Sequence, residues 1–202
     1  RGLGDVYKRQ PLQAPRREIE KMLPFYNGKS PHAIASKRLE KQKLLGIVPP
    51  AAKLGMAGKF NPEGYEKTSA KRKDYIAECM ATYAAQIVIM DRGIGRILAS
   101  LERHRLSDNT IVMFLSDNGA TAEMPQNNKN KKTTLPTGPL GEVGCRDGYG
   151  PMWAAVSNTP YRQYKIETFD GGLSAPFIIR YPSKIRPGSR YHSPCLLYTS
   201  DA

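Results

Sequence analysis

The stretch Ile111-Val112-Met113-Phe114-Leu115-Ser116-Asp117-Asn118-Gly119 decides the fold class of this chain. Five apolar residues are followed directly by polar and turn-forming residues, which predicts a buried strand that ends at Leu115. In α/β proteins, ligands bind beyond the carboxyl ends of the sheet strands. Asp117 and Asn118 would lie at such an end, where carboxylate and amide oxygens suit a hard metal ion. Taken alone, the pair favours a simple tight turn, because Asp-Gly and Asn-Gly steps are common in hairpins.

A long amphipathic helix is predicted before this strand. Its apolar residues recur at alternating steps of four and three, the spacing of one helix face; they are Ile76, Met80, Tyr83, Ile87, Met90, Ile94, Ile97 and Leu101. We expect this face to pack on a sheet. Gly93 and Gly95 weaken a helix interior, so we also expect another backbone to pass close to them.

The remaining pattern completes an α/β arrangement. Shorter helices are predicted over residues 16–23 and 32–45, and a long loop over 119–152, where Gly, Pro, Asn and Lys dominate and loops of this length often shape a site. Residues 161–169 are expected to be irregular and Gly171-Gly172 to form a tight turn. Residues 176–181 predict a second buried strand. The order helix, strand, long loop, strand indicates an α/β sandwich.

The composition and the distribution of charge bear on whether the protein binds nucleic acid or spans a membrane. Thirty-one basic and 18 acidic side chains give a net charge of +13, which could indicate a nucleic-acid or membrane-surface partner. The basic residues are dispersed over the helices and one lysine-rich loop at 127–132, and no recognition motif accompanies them, so we expect no nucleic-acid partner. No run approaches the roughly eighteen consecutive apolar residues of a membrane span.

Both ends of the chain are expected to be artefacts. Residues 1–10 and 195–202 match in-frame translations of the two strands of a transposase-library sequencing adaptor, so we exclude them from fold reasoning. The natural sequence is then expected to be residues 11–194, an inner part of a longer gene. Cys79 and Cys145 remain in it, and two cysteines support neither a disulfide framework nor a cysteine-based zinc site.

Several segments together resemble the sulfatase family. Residues 108–120 resemble its strand and metal-binding turn, and residues 80–98 resemble its signature helix. Residues 157–165, together with Phe169-Asp170-Gly171-Gly172, resemble a later motif that contains a lysine and a Glu/Asp-Gly-Gly turn. Residues 11–15 resemble the stretch that follows a family histidine. The resemblance covers nearly all of 11–194 and is most specific in 80–120 and 157–182. It implies part of an α/β/α sandwich of the alkaline-phosphatase-like superfamily, incomplete in this chain.

The resemblance also implies roles for three residues. Asp117 and Asn118 match two oxygen ligands of a calcium ion, and Lys165 matches the lysine that contacts the sulfate ester. The family nucleophile is a formylglycine made from cysteine in a Cys-x-Pro-x-Arg motif. Neither Cys79 nor Cys145 lies in such a motif, so no catalytic nucleophile is present and we expect it to be encoded upstream. Two modest departures, Val88 for an acidic residue and Asp170 for glutamate, do not touch these roles.

The implied activity is calcium-dependent hydrolysis of sulfate esters by an arylsulfatase-type enzyme in the periplasm or outside the cell, with this chain inactive by itself. Two alternatives stay open. One is a phosphate-ester or phosphonate hydrolase of the same superfamily, with a threonine or serine nucleophile and a two-metal cluster. The other is a catalytically dead, sulfatase-like binding protein. The sequence leaves the substrate, the oligomeric state, and the roles of Cys145 and the 119–152 loop open; it predicts that His104 interacts with the end of the long helix.

Overall fold

A computed structural model of the chain describes residues 12–55, 65–122, 138–145 and 147–191. The expected adaptor segments and much of the 119–152 loop lie outside the described residues. The main elements, in chain order, are α1 (Arg16–Met22), α2 (Pro31–Leu44), α3 (Ala70–Arg103), β1 (Val112–Leu115), α4 (Gly150–Ser157), α5 (Asp170–Leu173) and β2 (Phe177–Arg180). Short 3-10 turns cover Leu23–Phe25 and Ser107–Asn109.

The first three helices confirm the sequence prediction, and α2 and α3 each begin at a capping serine. The Ser30 hydroxyl accepts the Ala33 N–H at 3.2 Å at the start of α2, and Ser69 does the same for Arg72 at 3.4 Å at the start of α3. Such caps satisfy backbone donors that have no partner within the helix. At the end of α3 the His104 ring donates to the Ser100 carbonyl at 2.8 Å, which confirms the role predicted for it. No described helix is both long and apolar enough to cross a membrane.

The surroundings of α3 differ from the prediction. The helix packs against α1. Its buried residues all lie in its N-terminal half; they are Ala77, Cys79, Met80, Ala81, Thr82 and Ala85. The expected packing of the whole stripe on a sheet is wrong for the described chain, because a 34-residue helix is about 50 Å long at 1.5 Å per residue and two four-residue strands cannot cover it. A Cβ added at Gly95 would meet nothing within 4 Å, so the expected close backbone is also wrong there.

Charge pairs hold α1 against α3. The Glu18 side chain is buried and accepts hydrogen bonds from Arg92 at 2.9 Å and from Lys21 at 3.0 Å. These hydrogen bonds lower the pKa of Glu18 to about 2. Arg16 pairs with Glu78 of α3 beside this contact. The carboxylate of Glu18 is thus kept ionised at the seam, as a buried charge requires.

The largest core cluster is built around α4. Trp153 is 1% exposed; its indole N–H donates to the Ile76 carbonyl at 2.8 Å, and its ring meets Tyr26 edge-on at 5.7 Å between centroids. α4 also packs against α2. Its first residues were predicted to be loop, so the sequence missed this helix.

The two predicted strands form, but their predicted burial is wrong. β1 and β2 pair antiparallel, with Val112 opposite Arg180 and Leu115 opposite Phe177. Met113 is 55% and Ile178 61% exposed, because within the described chain these strands form a two-stranded sheet that is too small to bury either of its faces. The α/β class is confirmed: helices with a small antiparallel sheet are consistent with part of the alkaline-phosphatase-like fold.

Candidate functional site

The turn that carries Asp117 and Asn118 begins where β1 ends. The Ser116 N–H donates to the Pro176 carbonyl at 3.3 Å, which continues the pairing of β1 with the chain before β2. The Ser116 hydroxyl then donates to the Asn118 carbonyl at 2.9 Å and closes the turn. Asp117 is exposed and Asn118 is half-buried. Both residues therefore lie at the end of the strand, as predicted.

Three glycines let the backbones around this turn approach one another. A Cβ on Gly119 would overlap the carbonyl oxygen of Gly171, and a Cβ on Gly172 would lie 2.8 Å from the carbonyl oxygen of Tyr164. A Cβ on Gly171 would also meet neighbouring carbonyls. The Gly119 N–H donates to the Gly172 carbonyl at 3.0 Å across the same contact. We call Gly119, Gly171 and Gly172 the glycine junction; it requires residues without side chains.

Residues 161–169 form the irregular segment that the sequence predicted. Gln163 and Ile166 have φ values of 68° and 83°, a left-handed conformation that is unusual for a non-glycine residue and strained for β-branched isoleucine. The segment is held by the Gly171 N–H, which donates to the Arg162 carbonyl at 2.9 Å. The Arg162 guanidinium also lies 4.2 Å from the centre of the Phe169 ring. Strained backbone held by its surroundings is typical of functional sites.

Lys165 is joined to the turn after β1 by a backbone hydrogen bond. Its N–H donates to the Ala120 carbonyl at 2.9 Å, and Ala120 lies two positions after Asn118. The Lys165 side chain is half-buried. The backbone of Lys165 is therefore bonded to the chain directly after the turn that carries Asp117 and Asn118.

Asn158 is a member of this site to which the sequence analysis gave no role. Its Oδ1 accepts the Ala120 N–H at 2.9 Å, and its Nδ2 donates to the Gln163 carbonyl at 3.0 Å. One side chain thus bridges the turn after β1 and the segment before Lys165. The available signal was its place in the 157–165 motif, directly after an apolar run; its partners across the chain could not be read from that position.

The side-chain chemistry of the turn fits a calcium ion. Asp117 and Asn118 offer a carboxylate and an amide oxygen, the hard donors that calcium prefers. Asp117 is exposed and Asn118 is half-buried, so solvent reaches both residues. Within the described part of the chain, no three His, Cys, Asp or Glu side chains are grouped so that they could hold a metal. Two donors fill only part of the about six to eight oxygen positions of calcium.

Cys79 and Cys145 lie in the core and not in the site. Both are free and buried. Burial raises the pKa of the Cys79 thiol to about 12, which keeps it protonated and unreactive at neutral pH. Cys145 accepts the Asp147 N–H at 3.5 Å, and the Tyr75 hydroxyl donates to the Asp147 carboxylate at 2.7 Å. Cys79 is thus a small buried residue of α3.

Comparison with known proteins places these residues in one family. The family model described as Sulfatase matches residues 49–196. An uncharacterized sulfatase of Schizosaccharomyces pombe is 34% identical over 188 residues, which cover 88% of this chain and 33% of that protein. An arylsulfatase of Klebsiella aerogenes is 31% identical over 186 residues, 88% of this chain and 39% of the enzyme. A steryl-sulfatase of Rattus norvegicus is 33% identical over 112 residues, 55% of this chain and 16% of the enzyme.

Proposed function

Because the chain belongs to the sulfatase family, we propose that the protein containing it hydrolyses sulfate esters with a bound calcium ion. Asp117 and Asn118 are the proposed calcium ligands, and Lys165 is the proposed contact to the sulfate group. The chain spans 33% of the length of the Schizosaccharomyces pombe protein and 39% of the length of the Klebsiella aerogenes enzyme. The activity is therefore proposed for a longer protein, of which this chain supplies part of the site.

One observation carries the proposal: the hydrogen bond from the Lys165 N–H to the Ala120 carbonyl at 2.9 Å. It fixes the backbone of the predicted sulfate-binding lysine against the turn that carries the predicted metal ligands. A cation-binding turn and a lysine on the adjoining backbone suit an anionic ester, since both positive charges oppose its negative charge. The glycine junction joins this turn to Gly171 and Gly172, which lie in the short helix α5 and not in the tight turn that the sequence predicted.

The chemistry assigned to these residues is electrostatic. Calcium, when bound, supplies a Lewis acid that polarises the sulfate oxygens. Asp117 and Asn118 hold that ion, and Asp117 also offsets part of its charge. Lys165 presents a compact positive charge to the ester, which stabilises the negative charge that grows as the sulfur is attacked.

The nucleophile is proposed to be a formylglycine outside this chain. Cys79 and Cys145 are buried and lie in no Cys-x-Pro-x-Arg motif, so neither is a candidate. We accordingly expect the 202-residue chain by itself to show no turnover. An arylsulfatase-type substrate and a periplasmic or secreted location belong to the same proposal.

The test is a substrate comparison on the longer protein that carries this chain. Chromogenic aryl sulfate and aryl phosphate are offered at matched concentrations, with calcium and then with a chelator. The proposal predicts hydrolysis of the sulfate that is lost on chelation and restored by calcium. Preference for the phosphate would move the function to phosphate esters, and no turnover of either, with calcium still bound, would indicate a binding protein.

A further inference from the structure

We propose that Asn158 is a positioning residue that sets the distance between the Asp117-Asn118 turn and Lys165. This inference rests on the proposed function, because it concerns the site in which those three residues act. The starting observation is the double hydrogen bond of the Asn158 side chain, to the Ala120 N–H at 2.9 Å and to the Gln163 carbonyl at 3.0 Å. Asn158 itself contacts neither calcium nor sulfate in this proposal.

The two partners of Asn158 require a carboxamide. Ala120 offers a donor and Gln163 an acceptor, and a carboxamide carries one acceptor and one donor group in a fixed plane. Aspartate has the same shape, but it would turn an oxygen toward the Gln163 carbonyl and replace attraction by repulsion. Leucine would fill a similar volume and leave the Ala120 N–H and the Gln163 carbonyl without this partner, which costs free energy because both residues are half-buried.

Asn158 is itself fixed to the core of the protein. It follows α4 directly, and its N–H donates to the Ala154 carbonyl at 3.1 Å. The Asn158 carbonyl accepts the Tyr161 N–H at 2.8 Å. From α2, Gln42 donates to the Thr159 carbonyl at 2.8 Å. The bridge therefore extends from packed helices to the site, the arrangement in which supporting groups hold functional residues most accurately.

Ala120 connects Asn158 to Lys165 through two hydrogen bonds. Its N–H is bound by Asn158, and its carbonyl accepts the Lys165 N–H. On the other side, Asn158 holds Gln163, two residues before Lys165. The two segments and the bridging side chain form a closed loop of hydrogen bonds. Loss of the bridge should let the turn with its metal ligands shift relative to Lys165.

The first experiment measures that loosening directly, on the chain itself and without reference to activity. Backbone amide exchange at Ala120 and Lys165 is compared among the wild type, Asn158→Leu and Asn158→Asp. We expect exchange at both amides to rise by about tenfold or more in Asn158→Leu, because local opening becomes easier. Asn158→Asp should retain more protection at Ala120, whose acceptor it keeps. Unchanged exchange at both amides in Asn158→Leu would overturn the proposal.

A matched control separates this effect from a general effect of the substitution. Asn109→Asp makes the same chemical change at an exposed residue outside the site and should leave both amides unchanged. Trp153 is the single tryptophan of the chain and is buried in the core, so its fluorescence reports whether each variant is folded. If Asn158→Leu does not fold, exchange at the Lys165 amide is compared between Asn158→Asp and the wild type. Faster exchange supports the proposal, and unchanged exchange overturns it.

The second experiment tests positioning as distinct from structure, in the longer protein. We expect Asn158→Asp to lower kcat for an aryl sulfate by about tenfold to a hundredfold, since small misplacements have effects of that size, while calcium affinity stays close to that of the wild type. Asn109→Asp should change neither. Unchanged kcat despite faster exchange would show a structural residue only and overturn the proposal. If the wild type shows no sulfatase turnover, the proposed function fails, and the exchange data still decide whether Asn158 fixes the two segments.

Discussion

The glycine junction and the β1–β2 sheet are neighbours in the chain, and they are built in opposite ways. At the junction, three backbone segments touch without side chains and are joined by hydrogen bonds such as Gly119 to Gly172 at 3.0 Å. In the sheet, large apolar side chains such as Ile178 stay 61% exposed. The geometry of the site therefore depends on backbone contacts and on the Asn158 side chain, and very little on burial of the strand that leads into it.

The largest effect is expected from Gly119→Ala. The new Cβ would overlap the carbonyl oxygen of Gly171, which is backbone and cannot rotate away. We expect a loss of about 3 kcal/mol or more in the free energy of unfolding, at the upper end of overpacking effects, measured by denaturant titration. A loss near zero would show that the junction is loose and remove the contrast with the sheet.

Glu18→Gln should have the next largest effect and should depend on pH. The pKa of Glu18 is lowered from 4.5 to about 2 by its hydrogen bonds to Arg92 and Lys21. The ionised form thus stabilises the fold above about pH 4.5, and this contribution is lost as the pH falls toward 2. We expect Glu18→Gln to lower Tm at pH 7, with the difference from the wild type shrinking as the pH falls through that range.

Glu20→Gln is the matched control for this prediction. Its partner is the same helix's Arg16, and both side chains are more than half exposed, so the pair contributes little. Thermal melts followed by circular dichroism at several pH values compare the two variants. An equal decrease in Tm for both, or a Glu18→Gln difference that does not change with pH, would contradict the assigned cause.

A gain in stability is expected from Gly95→Ala, the counterpart of Gly119→Ala. A Cβ at this position of α3 meets open space, and alanine is favoured over glycine in a helix interior by about 1 kcal/mol. Chemical unfolding should therefore show an increase of up to that size. A decrease would mean that some part of the chain does pack on Gly95, as the sequence first indicated.

The smallest effect is expected in the sheet. Ile178→Thr keeps a β-branched residue and changes an already exposed side chain, so the free energy of unfolding of this chain should change by less than about 0.5 kcal/mol. Denaturant titration checks it, with Ile19→Thr, a fully buried position on α1, as the variant that should lose much more. Equal losses would show that the sheet face is covered.

Helices and strands could be predicted from the sequence where the hydrophobic periodicity is strong. The prediction failed where an element is apolar on all sides, or where contacts between distant residues determine the structure. The stripe from Ile76 to Leu101 predicted α3, and the run ending at Leu115 predicted β1. α4 was missed because Met152, Trp153 and their neighbours form an apolar run without a polar face, so it has no helical period. The predicted burial of the strands was wrong because apolar composition shows which residues could be buried. It does not show whether another part of the chain packs on them.

The site shows the same division. Local sequence places Asp117 and Asn118 after a strand but by itself favours a simple turn, and their predicted roles, like that of Lys165, come from the resemblance to the sulfatase family. Asn158 received no role because its partner Ala120 lies 38 positions away, and a sequence does not show which backbone groups face each other. The close approach of Gly119 to Gly171 likewise depends on tertiary contacts.

Asp117 and Lys165 are proposed to serve one site in different roles. Calcium titration, combined with aryl sulfate turnover, separates these roles in Asp117→Ala and Lys165→Ala variants of the longer protein. Asp117→Ala should lose calcium binding and activity together, because a ligand and its charge are removed. Lys165→Ala should keep calcium affinity and lose kcat by roughly a hundredfold to a thousandfold, the scale for removing one electrostatic stabiliser. Equal loss of calcium in both variants, or full turnover in Lys165→Ala, would contradict the claim.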